Sequence, residues 1–188
     1  MTTHQAVKDL RRALRSGKPV RIIRDIDGAD RLDAYVVGLG RKWVLLHTIS
    51  AGFHLDGHSV VRLRDVEHAT HSGRKAVRVA HRALRLRGER PWTPPGIDLD
   101  TTTGLIDTLT KAFPLVSVHI EEIDPDVCHI GRAHGVTRKK NLRLQEISPG
   151  AAWGNACSKY RTTDITRFDV GDGYIDALHA VGGNPPDL

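Results

Sequence analysis

A mainly β architecture with flanking helices, built as two tandem small β-barrels, is the fold class this sequence predicts, and three observations carry it. The stretch from Val20 to His68 returns in degraded form from Val116 to Phe168. Within each copy, short segments alternate apolar and polar residues, the period of strands buried on one face. Aromatics make up only 5% of the 188 residues and hydrophobics 39%, so the cores must be built from Val, Ile and Leu, which suit pleated surfaces. That length holds one ordinary domain or two small ones, and the repeat decides for two. We expect residues 1–88 to form the first unit, 89–101 a Pro-rich linker, and 102–188 the second unit.

The elements follow in order. Val7, Leu10 and Leu14 recur at i, i+3 and i+7, a short amphipathic helix over residues 4–15 that Gly17 and Pro19 end. A strand is expected over Val20–Asp27, then a turn at Asp27-Gly28. Tyr35–Leu39 and Trp43–Ile49 pair around Gly40-Arg41-Lys42, and an Asp56-Gly57 turn leads into a strand over His58–Val66. Residues 73–88 place Val77, Ala80 and Leu84 on one helical face and Lys75, Arg78, Arg82 and Arg85 on another, with a stop at Gly88. Pro91, Pro94, Pro95 and Gly96 break regular structure. Leu105, Ile106, Leu109 and Phe113 form a helix with a Thr-rich cap. Strands are expected at 115–123, 127–133, 140–147 and 159–169, and Tyr174, Ala177, Leu178 and Val181 mark a closing helix. Each unit therefore reads as helix, barrel, helix.

Charge and cysteine content narrow the function. The net charge is +6, but residues 1–96 carry 19 basic and 9 acidic side chains, against 9 and 13 in residues 97–188. Such asymmetry fits a basic surface for a polyanion, or two halves that attract one another. Cys128 and Cys157 are too few for a disulfide framework or a Cys-based zinc site, so reduced thiols are expected. Neither a signal peptide nor a long apolar span is present, which predicts a soluble, cytoplasmic protein without membrane contact.

The local words of the repeat resemble the Sm-like family of small barrels. Val37-Gly38-Leu39 leads into WVLLHTIS, and Ile130-Gly131 leads into KKNLRLQEIS with Asn141 at the family's loop position; Arg64-Asp65-Val66 is similar to its second signature. The resemblance implies five strongly bent strands behind a helix in each unit. It does not bring the family's uridine pocket, because neither copy keeps the Asp–Asn pair or the Arg-Gly step. Phrases such as GIDLDTT, DPDVC, EISP and DITRFD are similar to a group of uncharacterised bacterial proteins of high-GC genomes, which implies no activity.

Two basic clusters are the candidate nucleic-acid-binding residues. Arg74, Lys75, Arg78, Arg82 and Arg85 repeat at about one-turn spacing, a row that meets successive phosphates, and Arg138, Lys139 and Lys140 stand at a hairpin tip. His47, His54 and His58 with Asp56 form the densest histidine group; His54 and His58 straddle the expected turn and read as surface side chains rather than metal ligands. Glu121 and Glu122 are adjacent on an expected strand and so face opposite ways. No nucleophile elbow, phosphate loop, dinucleotide fingerprint or zinc-protease motif occurs. We expect no cofactor and no catalytic residue. The leading expectation is a non-enzymatic binding protein associated with RNA or another nucleic acid; the alternative is a protein-interaction adaptor whose basic helix docks on acidic protein surface or on another copy.

Overall fold

The computed structural model describes residues 3–70 and 75–187. Helix α1 (Thr3–Ser16) precedes strands β1 (Val20–Arg24), β2 (Leu32–Leu39), β3 (Trp43–Ile49), β4 (Leu55–Arg62) and β5 (Val66–Thr70), with a 3-10 turn at Leu63–Asp65. Helix α2 (Lys75–Arg87) and α3 (Thr102–Ala112) follow, then β6 (Val116–His119), β7 (Cys128–Val136), β8 (Asn141–Ile147), β9 (Trp153–Arg161), β10 (Arg167–Val170) and α4 (Gly173–Gly182). The fold is mainly β with flanking helices. Among the described residues no helix is long and apolar enough to cross a membrane.

The strands do not form two separate closed barrels. All ten belong to one open antiparallel sheet in the order β5-β1-β2-β3-β4-β10-β6-β7-β8-β9. Each half supplies its fifth, first, second, third and fourth strand in that sequence, and β4 of the first half pairs with β10, the fifth strand of the second, from Arg167↔Val61 to Val170↔His58. Both halves thus share one strand order, as a repeat requires, whereas the pairing between halves leaves no periodic trace. Two expected long strands are each two elements: residues 58–66 break at the 3-10 turn, and residues 159–169 break before β10. Asp56-Gly57 lies inside β4 rather than at a turn. Gly57 has a φ of 62°, and a Cβ there would strike the backbone of Val170 and Asp172.

Three apolar clusters hold the sheet. Ala6, Leu10 and Ala13 of α1 pack on Ile22, Ala34, Val36, Val44, Leu46 and Val61; Leu14 stays partly outside. Leu105, Ile106 and Leu109 of α3 pack on Val118, Leu142, Leu144 and Phe168, and also on Trp43, Leu45 and Val60 of the first half. β3 is therefore covered on both faces, which is why it reads WVLL without alternation. Ile175 and Leu178 seat α4 against Leu115 and Ile147, so Tyr174 and Val181, expected on the packed face, point outward.

Residues 89–101 do not swing as a free linker. The Leu99 carbonyl accepts from the amides of Lys42 (3.2 Å) and Trp43 (3.0 Å), and Thr93 Oγ1 donates to the Val37 carbonyl at 3.0 Å. Gly40 is required there, since any Cβ would enter the Leu99 backbone.

Candidate nucleic-acid interface

Two equivalent turns of the repeat meet across the β4–β10 joint. In the first half the amide of Leu63 donates to the Lys42 carbonyl at 2.8 Å; in the second the amide of Thr162 donates to the Lys140 carbonyl at 3.0 Å. Each bond ties the hairpin before the third strand to the exit of the fourth. Arg62 then bridges the halves: its amide donates to the Thr166 carbonyl at 3.1 Å, and its Nη1 donates to the Thr163 carbonyl at 2.8 Å. The result is an open cleft of about 450 Å³ in which Arg41, Lys42, Arg62, Arg64 and Lys140 gather, with the first turn of α3 and the threonines of the β9–β10 turn along its walls.

These cations differ in how far they are already neutralised. Arg62 is buried and bound to Asp65 and Glu122, so it positions the walls. Arg41 lies 3.4 Å from Asp100, and Arg64 3.4 Å from Asp65, both guanidinium groups well exposed. Lys42 and Lys140 have no ion-pair partner among the described residues. Lys140 adopts a φ of 58° at the tip of its turn. Arg138 and Lys139 beside it are exposed but do not line the cleft.

Arg74 and the side chain of Lys75 lie outside the described residues. Arg78, Arg82 and Arg85 stand on the exposed face of α2, without an ion-pair partner among the described residues, while Val77, Ala80 and Leu84 are buried as their spacing predicts. α2 is fixed from below by the Tyr35 hydroxyl, 2.8 Å from His81 Nδ1, and from its end by Arg87, whose Nε donates to Glu89 at 2.8 Å.

The acidic half neutralises arginines at the joint rather than on α2. Arg24 and Glu121 form a buried bidentate pair, with Nη2 to Oε1 at 2.7 Å and side chains 0% and 2% exposed. Burial works to raise the Glu121 carboxyl, but Arg24 and the Thr166 hydroxyl outweigh it and hold it below the ordinary range. Glu121 and Glu122 follow β6 in a turn instead of lying on a strand; they diverge, as expected, one to Arg24 and the other to Arg62. Asp169 likewise accepts from Ser59 Oγ at 2.5 Å, His119 Nε2 at 2.8 Å and Arg167 Nε at 2.7 Å. Its burial is overcome chiefly by Arg167, which keeps it ionised well below the usual carboxylate range.

This polar row superficially offers a nucleophile. Ser117 Oγ lies 3.2 Å from His119 Nε2, and Cys128 sits directly across from His119 on β7. Yet Ser117 and Asp169 share the same ring nitrogen, so the imidazole does not stand between them as a proton relay requires. His47 and His58 are not surface side chains: they are 4% and 3% exposed and stack at 4.3 Å with Trp92 edge-on. Only His54 is exposed, 2.9 Å from Glu89. Among the described residues no three His, Cys, Asp or Glu side chains converge on a metal position. Cys128 and Cys157 are free thiols, Cys128 exposed.

Sequence reasoning singled out Lys140 but missed Arg41, Lys42 and Arg64. The signal was present: Lys42 and Lys140 hold the same place in the repeat, a basic step just before the third strand. Compared with protein-family models, curated proteins and solved structures, the chain matches none.

Proposed function

We propose that this protein binds nucleic acid, with RNA as the leading candidate, as a non-enzymatic module whose principal contact is the cleft between the two halves. The observation that supports this is the convergence of Lys42 and Lys140 from equivalent turns, flanked by Arg41 and Arg64. A groove lined by one sign of charge, with hydroxyls along its walls, suits a phosphate backbone. Trp43, the aromatic residue of the cleft, is 1% exposed and holds the core, so base stacking within the cleft contributes little and the expected recognition there is of backbone rather than sequence. Arg138, Lys139 and the exposed α2 residues Arg78, Arg82 and Arg85 are open to additional phosphates, and Arg74 and Lys75 continue that basic row in the sequence. The helix-then-five-strand order of each half supports retaining the Sm-like resemblance within this proposal, as two bent units of one sheet.

The test is a fluorescence-polarisation titration against single-stranded RNA, single-stranded DNA and duplex from low to moderate salt. Replacing Lys42 and Arg64 with Ala and Lys140 with Asn, which tolerates the left-handed backbone, should reduce the slope of log affinity against log salt by about 2–3. A slope that does not move, or no binding at tens of micromolar (order of magnitude for non-specific contact), overturns the proposal. A protein-interaction role is the second reading, and one observation favours it: α2 exposes Val79 and Leu86 beside its arginines.

A further inference from the structure

Phosphate binding accounts for the arginines of α2 but not for what lies next to them. Val79 is 53% exposed and Leu86 79% exposed, seven residues and roughly 10 Å apart along the helix. They fall on one stripe, flanked on one side by Arg78, Arg82 and Arg85. A helix face that serves only phosphates gains nothing from two uncovered aliphatic side chains. A protein surface that is apolar at its centre and acidic at its rim does.

Such a surface exists on this chain. In the turn between β6 and β7, Ile123 is 75% and Val127 42% exposed. Asp124 and Asp126 stand between and beside them, exposed and without an ion-pair partner among the described residues. Glu122, itself held by Arg62, adds to the negative field. The turn is tied down at several points. The amides of Ile123 and Asp124 both donate to the Ile120 carbonyl, at 2.9 and 3.1 Å; Asp126 N donates to Asp124 Oδ1 at 3.1 Å; and Pro125 packs so closely on Gly28 that a Cβ there would lie 2.8 Å from it. Presenting two aliphatic side chains on a pinned turn costs little ordering on association.

We propose that α2 docks onto the 120–127 turn of a second copy of this chain, with Val79 and Leu86 against Ile123 and Val127, and with Arg78, Arg82 and Arg85 facing Asp124 and Asp126. Patch and counter-patch are different surfaces, so the contact is heterologous: two copies meet twice about a two-fold axis or once, head to tail. The inference is separable from the nucleic-acid reading: neither surface includes a cleft residue, and only the α2 arginines are common to both.

The experiment uses the full chain and sedimentation equilibrium up to about 1 mM, the weak end of specific association. The wild type should exceed its 20.7 kDa chain mass at low salt and fall back as salt rises. Two charge-reversed variants, R82E/R85E and D124K/D126K, should each be monomeric, and their equimolar mixture should restore a 1:1 dimer, since each then supplies the intact surface the other lacks. V79S/L86S provides a second disruption with no change of charge. Circular dichroism confirms the fold of each variant. Y174S/V181S on α4 and the cleft variant should associate like the wild type. A monomeric wild type throughout the range, association that survives in either reversed variant, failure of the mixture to dimerise, or loss of association in the α4 variant overturns the proposal. So does nucleic-acid binding that depends on Arg78, Arg82 and Arg85 in a chain that does not self-associate.

Discussion

Strands β3–β4 and β8–β9 occupy equivalent places in the two halves, yet one pair lies inside the molecule and the other forms its edge. The registers align Trp43, Leu45 and Val60 with Asn141, Arg143 and Lys159. The first three are buried against Phe168 and α3, and the rings of Trp43 and Phe168 lie 5.6 Å apart. Of their counterparts, Arg143 and Lys159 are exposed and Asn141 is half-buried. The same backbone therefore carries apolar residues where another half continues the sheet and charged residues where nothing follows. An uncovered row of backbone donors and acceptors is a template for unwanted pairing, and cations along it are the common protection. The difference teaches that the internal joint is built for one neighbour only.

The largest test of this contrast is to empty the joint. Phe168→Ala removes the side chain that β10 inserts between Trp43 and Val60 and should cost about 3–5 kcal/mol, measured by urea unfolding; Lys159→Ala on the free edge should stay within about 0.5 kcal/mol. Comparable losses at both positions would break the comparison. The ion pair beneath the joint should respond almost as strongly. Glu121→Ala leaves Arg24 buried without a counter-charge, at a cost of about 3–5 kcal/mol, whereas the double change to Met at both positions should recover most of it. Arg24 Nε already lacks a hydrogen-bond partner, which adds to the desolvation cost the pair must offset. A smaller effect sharpens the edge side: Arg143→Leu with Lys159→Val copies the residues of the joint onto the edge, and light scattering should detect association through β9 that the parent edge does not support.

Local structure was readable from the sequence because it depends on periodicity and stop signals. The i, i+3, i+7 spacing of Val77, Ala80 and Leu84 predicts the buried face of α2, and WVLLHTI delimits β3 to the residue. What was not readable depends on partners distant in the chain. Nothing near Val60 or Phe168 announces that they pair across halves. The inward turn of His47 and His58 requires Trp92, which arrives from a stretch whose prolines read as loose chain. On α4 the four marked apolar positions share one face, yet tertiary packing chose the neighbouring stripe through Ile175 and Leu178. Half of the cleft was legible as a basic hairpin tip; the other half required recognising that Lys42 repeats Lys140.

The smallest predicted effect concerns the covering of β3–β4, which its counterpart β8–β9 does not share. His47 accepts a hydrogen bond from the Trp92 amide through Nδ1 at 3.2 Å, and His58 Nε2 donates to the Trp92 carbonyl at 3.1 Å. Protonating His47 at Nδ1 would abolish the first of these bonds. Burial, and then the nearness of His58, push its pKa down from 6.5 to about 4, while Asp56 and Glu89 pull the other way. His58 is lowered as well, mainly by burial. The folded chain thus holds these protons more weakly than the unfolded chain does. The stabilisation from neutral His47 is complete above pH 6.5, shrinks as pH falls and the unfolded state alone takes up the proton, and is gone once pH drops below about 4. Allowing for solvent screening, unfolding free energies from urea titrations at pH 7.5 and pH 5 should differ by about 1–2 kcal/mol from this source. His47→Gln should remove most of that slope, and an unchanged slope would show that the titration lies elsewhere.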